Sequence, residues 1–362
     1  MKKYIQFAAL ILTAGLAMAQ QKTTSRLTHV GDDWTQEING TMPAARAIRV
    51  KAYAGPIHMQ GGQQTVITYT ARKHVLASSE KLARRALAHM HVQTLNAGGI
   101  ALINGQGWSE GPGMMELDVH IPSQTALVRL QTSGGPIAAR NIGGKVEAHT
   151  GGDMIELDQI GSDVVATTGG GDIEIGRIGG EIRVETGGGN IRIGAGEAMR
   201  LHTGAGSIHV NKCHGEIMAT TGGGAIELNE VTGMVQVNTR GGSIHLGPMS
   251  GGVHAATGSG PIVADLAAHR GTFTASRLET SDGNIIVYIP DDLGVTIQAA
   301  VETAHGPGIS SDFPSLAITS RSHKLWGPKN AHAEGPVNGG GPLLVVHTST
   351  GTIAFRRRNN TK

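Results

Sequence analysis

The chain reads as an all-β solenoid built from coils of about 18 residues, with one short helix near its N-terminal end. Three observations predict this. The first is a recurring phrase of Thr, small residues ending in Gly, then an apolar residue, as in Thr168-Gly-Gly-Gly171-Asp-Ile173 and Thr221-Gly-Gly-Gly224-Ala-Ile226. Its threonines fall at 132, 150, 168, 186, 203, 221, 239, 257, 280 and 303, an interval of 17 or 18 residues up to Thr257 and 23 beyond it. Such a period marks stacked repeats. The second is alternation inside each repeat: Ile173 and Ile175, then Ile178 at a corner, then Ile182 and Val184 after Gly179-Gly180. Two short strands, each with one buried face, fill a coil. The third is composition. The 362 residues include 55 Gly, 3% aromatic and 16% charged residues, against ordinary values of about 7% Gly and about 25% charged. Glycine at an 18-residue period is not collagen, and 39% hydrophobic residues at fixed places argue against disorder.

Taken in order, residues 1–19 are expected to be a secretory signal peptide. Lys2 and Lys3 precede an apolar run over 7–12, and Ala17-Met18-Ala19 supplies a small-x-small cleavage site. The mature protein is therefore expected to be exported, whether periplasmic, on the outer surface or secreted, and no later run is apolar enough to span a membrane. Residues 20–45 are polar and lack a period, which predicts a flexible lead-in. Residues 46–131 hold short alternating strands and a capping helix. Ser78 or Ser79 before Glu80 starts that helix, with Leu82, Ala86, Leu87 and Met90 inward and Arg84 and Arg85 outward. Regular coils fill 132–302, a Gly/Pro-rich excursion fills 303–342, 343–357 is the expected closing coil, and 358–362 is a basic tail.

Thr168, Gly171, Ile173, Ile175, Ile178, Ile182, Val184 and Gly224 represent the structural repeat. The fourth place of the phrase is Gly in nearly every coil, with Asp153 the clear exception. Asp tolerates positive φ, so the expected requirement is a left-handed corner.

The signal peptide, the early strand-and-helix unit, the strand-Pro phrases Ile121-Pro122 and Ile289-Pro290, and the Thr-x-Gly-x-Ile coils resemble the bacterial putative-adhesin family of unknown function, also called toastrack domains. The resemblance covers about 46–357 and contains no catalytic motif. It implies a right-handed, single-stranded parallel β-helix outside the cytoplasm, in a family associated with adhesion and envelope-stress signalling.

Chemistry on such a stack has to appear as an outward column. The residue after the first apolar one in each coil gives Glu156, Glu174, Arg192, His209, Glu227 and His245. The functional reading is a carbohydrate or divalent-metal surface; the plainer one is a solvated ladder of alternating charge, which stabilises a sheet. The plainer reading is favoured, because a flat column with about 5 Å spacing converges poorly on a metal. Cys213, the only cysteine, occupies a corner held elsewhere by Ile or Val and is expected to be a core thiol. Gly169-Gly170-Gly171 precedes a strand where a phosphate cradle needs a helix. No catalytic residue, cofactor or metal is expected, and a net charge of +2 does not call for nucleic acid. The expected function is a monomeric, non-catalytic binding module with an envelope protein or glycan as partner. A self-assembling scaffold is the alternative, and a polysaccharide lyase or hydrolase a distant one.

Overall fold

The computed structural model describes residues 20–23, 27–107, 113–267, 272–304, 308–322 and 329–358. The signal peptide over 1–19 and residues 359–362 of the basic tail lie outside them. Each regular coil supplies two strands. Ile173–Arg177 pairs in parallel with Ile191–Gly196 of the next coil, and Ile182–Thr186 pairs with Met199–Thr203. First strands thus build one sheet of 17 strands, here sheet A, and second strands build another of 16, sheet B. The sheets do not close into a barrel. Between them runs a single core, into which Ile173, Ile175, Ile182 and Val184 all point. The expected all-β solenoid is what the structure shows, with one short helix among the described residues.

The phrase itself holds neighbouring coils together. The Thr168 hydroxyl donates to the Asp153 carbonyl at 2.7 Å, Thr186 to Gly171 at 2.8 Å, Thr221 to Gly206 at 2.7 Å and Thr239 to Gly224 at 2.9 Å. Each hydroxyl also accepts from its own coil: the Gly224 amide donates to Thr221 Oγ1 at 3.2 Å. These threonines are buried, so the column satisfies backbone groups that water cannot reach.

The reason for the fourth-place glycine differs from the expected one. Gly135, Gly260 and Gly351 have φ of +119°, +145° and +145°, whereas Gly171, Gly189, Gly206, Gly224, Gly242 and Gly283 are not left-handed. What they lack is space. A Cβ on Gly224 would overlap the carbonyl of Gly206, and one on Gly171 the carbonyl of Asp153. Asp153 is accommodated with its carboxylate accepting the Gly135 amide at 3.0 Å.

Both ends of the stack are interleaved. At the N-terminal end the coil Ala47–Ala52 with Ile57–Gly62 lies between Ile100–Gln106 with Gly113–Pro122 on one side and Leu127–Thr132 with Ile137–Ile142 on the other. Antiparallel strands finish that end: Val66–Leu76 on Gly113–Pro122, Asp33–Pro43 on Val66–Leu76, and His91–Ala97 on Ile100–Gln106. At the other end Leu343–Thr350 and Ile353–Arg357 pair with Ser276–Asp282 and Ile285–Ile289. Their far edges pair with Val295–Ala304 and Ile309–Ser311. Residues 343–357, expected to close the stack, therefore lie one level inside it.

Several expectations change accordingly. Val301, not Thr303, stands beside Thr348 in the threonine column. The 303–342 segment contains the strands Ala317–Ser322 and Lys329–Val337, a hairpin added antiparallel to Val295–Ala304; residues 305–307 and 323–328 lie outside the described ones. Within the supposed lead-in, Asp33–Pro43 is an eleven-residue strand. The helix spans Glu80–Ala88 and buries Ala83, Ala86 and Leu87, while Leu82 is exposed. Inward-pointing Lys73 donates to the Leu87 carbonyl near the helix C-terminus at 3.3 Å, where a cation is favoured by the helix dipole.

Candidate interaction surfaces

Sheet A places the six outward residues of the predicted column side by side. Glu156 faces Glu174, Glu174 faces Arg192, Arg192 faces His209, His209 faces Glu227, and Glu227 faces His245. Five of the six tips, all but that of His245, pair with one another or with close neighbours. Arg140 donates to Glu156, Arg192 lies 3.1 Å from Glu174 and 3.3 Å from Asp172, and His209 Nδ1 lies 3.2 Å from Glu227. The Asn190 backbone amide, with help from its side chain and Arg192, holds the Asp172 carboxyl below its usual range despite partial burial. Exposed pairs of this kind contribute about 0–1 kcal/mol each. Their arrangement is that of a charge ladder.

Among the described residues, sheet A holds one like-charged neighbour pair, Glu156 beside Glu174, each with an arginine partner; on sheet B the like-charged neighbours are cations. Arg49 stands directly opposite Arg129, and Arg183 directly opposite Arg200, so like charges meet in register twice on one face. Such neighbours destabilise a sheet. Arg129 is relieved by Glu147 at 2.6 Å, which Lys145 also approaches at 3.3 Å. Burial would raise the Glu147 carboxyl, but these two cations outweigh it and hold the carboxyl low. Arg49, Lys51, Arg183 and Arg200 have no carboxylate partner among the described residues. Arg49, Lys51, Arg129 and His149 line one shallow groove of about 400 Å³ together with Glu147. Arg183 and Arg200 share another with Lys145, Asp163, Glu181, Glu216 and the half-exposed Met218.

Cys213 is fully buried, in register with Gly196 and Val231. Burial pushes its thiol above the ordinary value, Glu197 adds to the effect, and Sγ donates to the Glu197 carbonyl at 2.9 Å. A protonated, enclosed thiol is a poor nucleophile. Folded protein is expected to react with a thiol reagent at least tenfold more slowly than protein in denaturant, as followed by absorbance; equal rates would contradict the core assignment.

One cluster escaped the sequence reading. His58, Glu116 and Asp118 bring donor atoms within 4.8 Å of one another at the N-terminal end of sheet A. Arg72 Nη1 lies among them, donating to Glu116 at 3.0 Å and Asp118 at 2.5 Å, while its Nε donates to Glu37 at 3.1 Å. Desolvation works against the Arg72 charge, but Asp118 and Glu37 outweigh it and raise its pKa. The three strands involved lie outside the repeat, so no period announced the cluster. The available signal was outward titratable residues alternating with apolar ones, as in Met115-Glu-Leu117-Asp-Val119.

No family model and no curated protein matches the chain. Among solved structures it is similar to a putative adhesin from Bacteroides fragilis, at 11% identity over 89% of this chain and 97% of that one, with a TM-score of 0.30. It is also similar to a putative cell adhesion protein from Clostridium sporogenes, at 8% identity over 94% and 98%, with a TM-score of 0.20. At these scores neither structure locates a site on this chain.

Proposed function

We propose that the protein is an exported, non-catalytic binding module that presents the outer surface of sheet B to an anionic glycan or an acidic envelope protein. The observation that carries this reading is the pair of in-register arginine contacts, Arg49 with Arg129 and Arg183 with Arg200. Placing like charges on adjacent rungs costs stability in the free protein, and an anionic partner offsets that cost. A polymer laid along the stack meets rungs about 4.8 Å apart, so several arginines engage one chain at once. Antiparallel strands at both ends of the stack cover rungs on which further copies would add. This favours a monomer over a self-assembling scaffold.

The test uses the chain from residue 20 in a pull-down from cell-envelope extract and on an array of acidic and neutral glycans. Binding is expected to favour acidic ligands, to weaken with salt, and to fall at least tenfold in the double variant Arg183→Gln, Arg200→Gln. The substitutions His209→Gln and Glu227→Gln on sheet A are expected to leave it unchanged. Binding insensitive to the arginines would overturn the assignment to sheet B, and filaments in concentrated protein would restore the scaffold.

A further inference from the structure

The cluster at the N-terminal end of sheet A has features that its internal salt bridges do not account for. His58 is in register with Asp118 on the adjacent parallel strand, and its Nε2 lies 4.0 Å from Glu116 Oε1. On the other side of Glu116, the Nε2 of His74 lies 3.9 Å from Oε2. That nitrogen is buried and has no hydrogen-bond partner among the described residues. The opposite ring nitrogen of His74 faces Asp33 Oδ2 at 3.5 Å and Thr35 Oγ1 at 3.4 Å, so the ring stands between two carboxylates and, with N–H on both nitrogens, points one donor at Asp33 and the other at Glu116. Three carboxylates, those of Glu37, Glu116 and Asp118, gather around the Arg72 guanidinium, so the local charge stays negative. His58 and Asp118 also line an open groove of about 430 Å³, which gives a hydrated ion access.

We propose that His58, Glu116 and Asp118 bind a divalent transition-metal ion, with the fourth position open to the groove and His74 positioning Glu116 from behind. An imidazole with two carboxylates suits zinc, cobalt or nickel better than a set of oxygens alone. Ligands about 2.0–2.2 Å from a tetrahedral ion stand about 3.4 Å apart. The three donor atoms lie within 4.8 Å of one another, so closing on an ion takes rotation of His58, whose side chain is 45% exposed, together with movement of the carboxylates. Arg72 keeps Glu37 as it yields the other two carboxylates. The Asp33–His74–Glu116 series acts as the outer support that fixes a ligand's orientation, a role whose loss commonly weakens metal binding 10–100-fold.

The experiment titrates zinc by calorimetry and cobalt by visible absorbance into untagged chain from residue 20. One ion per chain is expected. His58→Ala and Asp118→Asn should each weaken binding more than a hundredfold, and His74→Ala and Asp33→Asn about tenfold. The cobalt protein should show one paramagnetically shifted imidazole N–H, absent in His58→Ala and retained in His74→Ala; a merely structural His74 would leave affinity unchanged. Melting of each variant without metal checks the fold, and His58→Gln replaces His58→Ala if that melt shifts. His209→Ala, on the same sheet, should bind as wild type. No saturable binding at millimolar zinc overturns the site, as does binding that survives His58→Ala with Asp118→Asn or is lost in His209→Ala. The sheet B arginines take no part in this test, so either result leaves the proposed function to be decided by its own.

Discussion

Replacing Gly224 by valine is expected to disrupt the stack, while replacing its neighbour Gly223 by alanine should leave the melting temperature almost unchanged. The two glycines are adjacent in the same phrase, yet a Cβ at 223 meets nothing within 4 Å and one at 224 overlaps the Gly206 carbonyl. Overpacking in a core where side chains can yield costs about 1–3 kcal/mol. At Gly224 the obstacle is backbone, and moving it would also break the 2.7 Å bond from Thr221 to Gly206 and the 2.9 Å bond from Thr239 to Gly224. The cost should therefore exceed the usual range and reach the rare class above about 4 kcal/mol. Gly223→Ala should fall within about 0.5 kcal/mol of wild type. Thermal melts of both variants check this, and equal midpoints would show that close approach is not what selects Gly224.

Ending the chain after residue 342 should unfold far more than the residues removed. Leu344, Val346, Ile353 and Phe355 are each fully buried, and burying a large apolar side chain is worth about 1.5–3 kcal/mol. Four of them amount to roughly 6–12 kcal/mol, a sum comparable with the whole stability of a typical domain. The removed strands also form the only described pairing of Val295–Ala304 and Ile309–Ser311 with the body of the stack. Hydrogen exchange should thus become fast throughout 295–337, while coils between 132 and 260 stay protected, because each repeat depends chiefly on its neighbours. Retained protection over 295–337 would mean that the outer coil can dock directly on Ile285–Ile289.

The regular coils were legible because one physical requirement repeats in each of them. Buried Thr, crowded Gly and inward Ile recur at a fixed interval, so a single misplaced residue such as Asp153 does not hide the pattern. The ends were illegible for opposite reasons. In Asp33–Pro43 the inward positions include Gln36 and Gly40; a Cβ on Gly40 would overlap the ring of Tyr69, so an aromatic residue from the next strand fills a place where the sequence shows no apolar side chain. At the other end Thr303 imitates the column that Val301 occupies, and no local signal reveals that a later segment is inserted between two earlier ones. The outward column on sheet A was readable because 18-residue spacing fixes register there. His58, His74 and Glu116 come from three strands with no common period, so only pairing in space brings them together. The sheet B arginines could be counted in the sequence, but their opposition also depends on register.

The interleaved C-terminal end imposes a schedule on the chain. Ile309 finds its partner Ile353 only after a further 44 residues (353 less 309) have appeared. At synthesis rates of about 5–20 residues per second that is a delay of about 2–9 s. During it, the strands Ser276–Asp282 and Ile285–Ile289 present unpaired edges, the kind of surface that recruits other chains. A molecule emerging N-terminus first can propagate its regular coils as they arrive, but it cannot seal them until Ile353–Arg357 is free. Misassembly should therefore concentrate in this interval, and any factor that shields sheet edges would have its main work there.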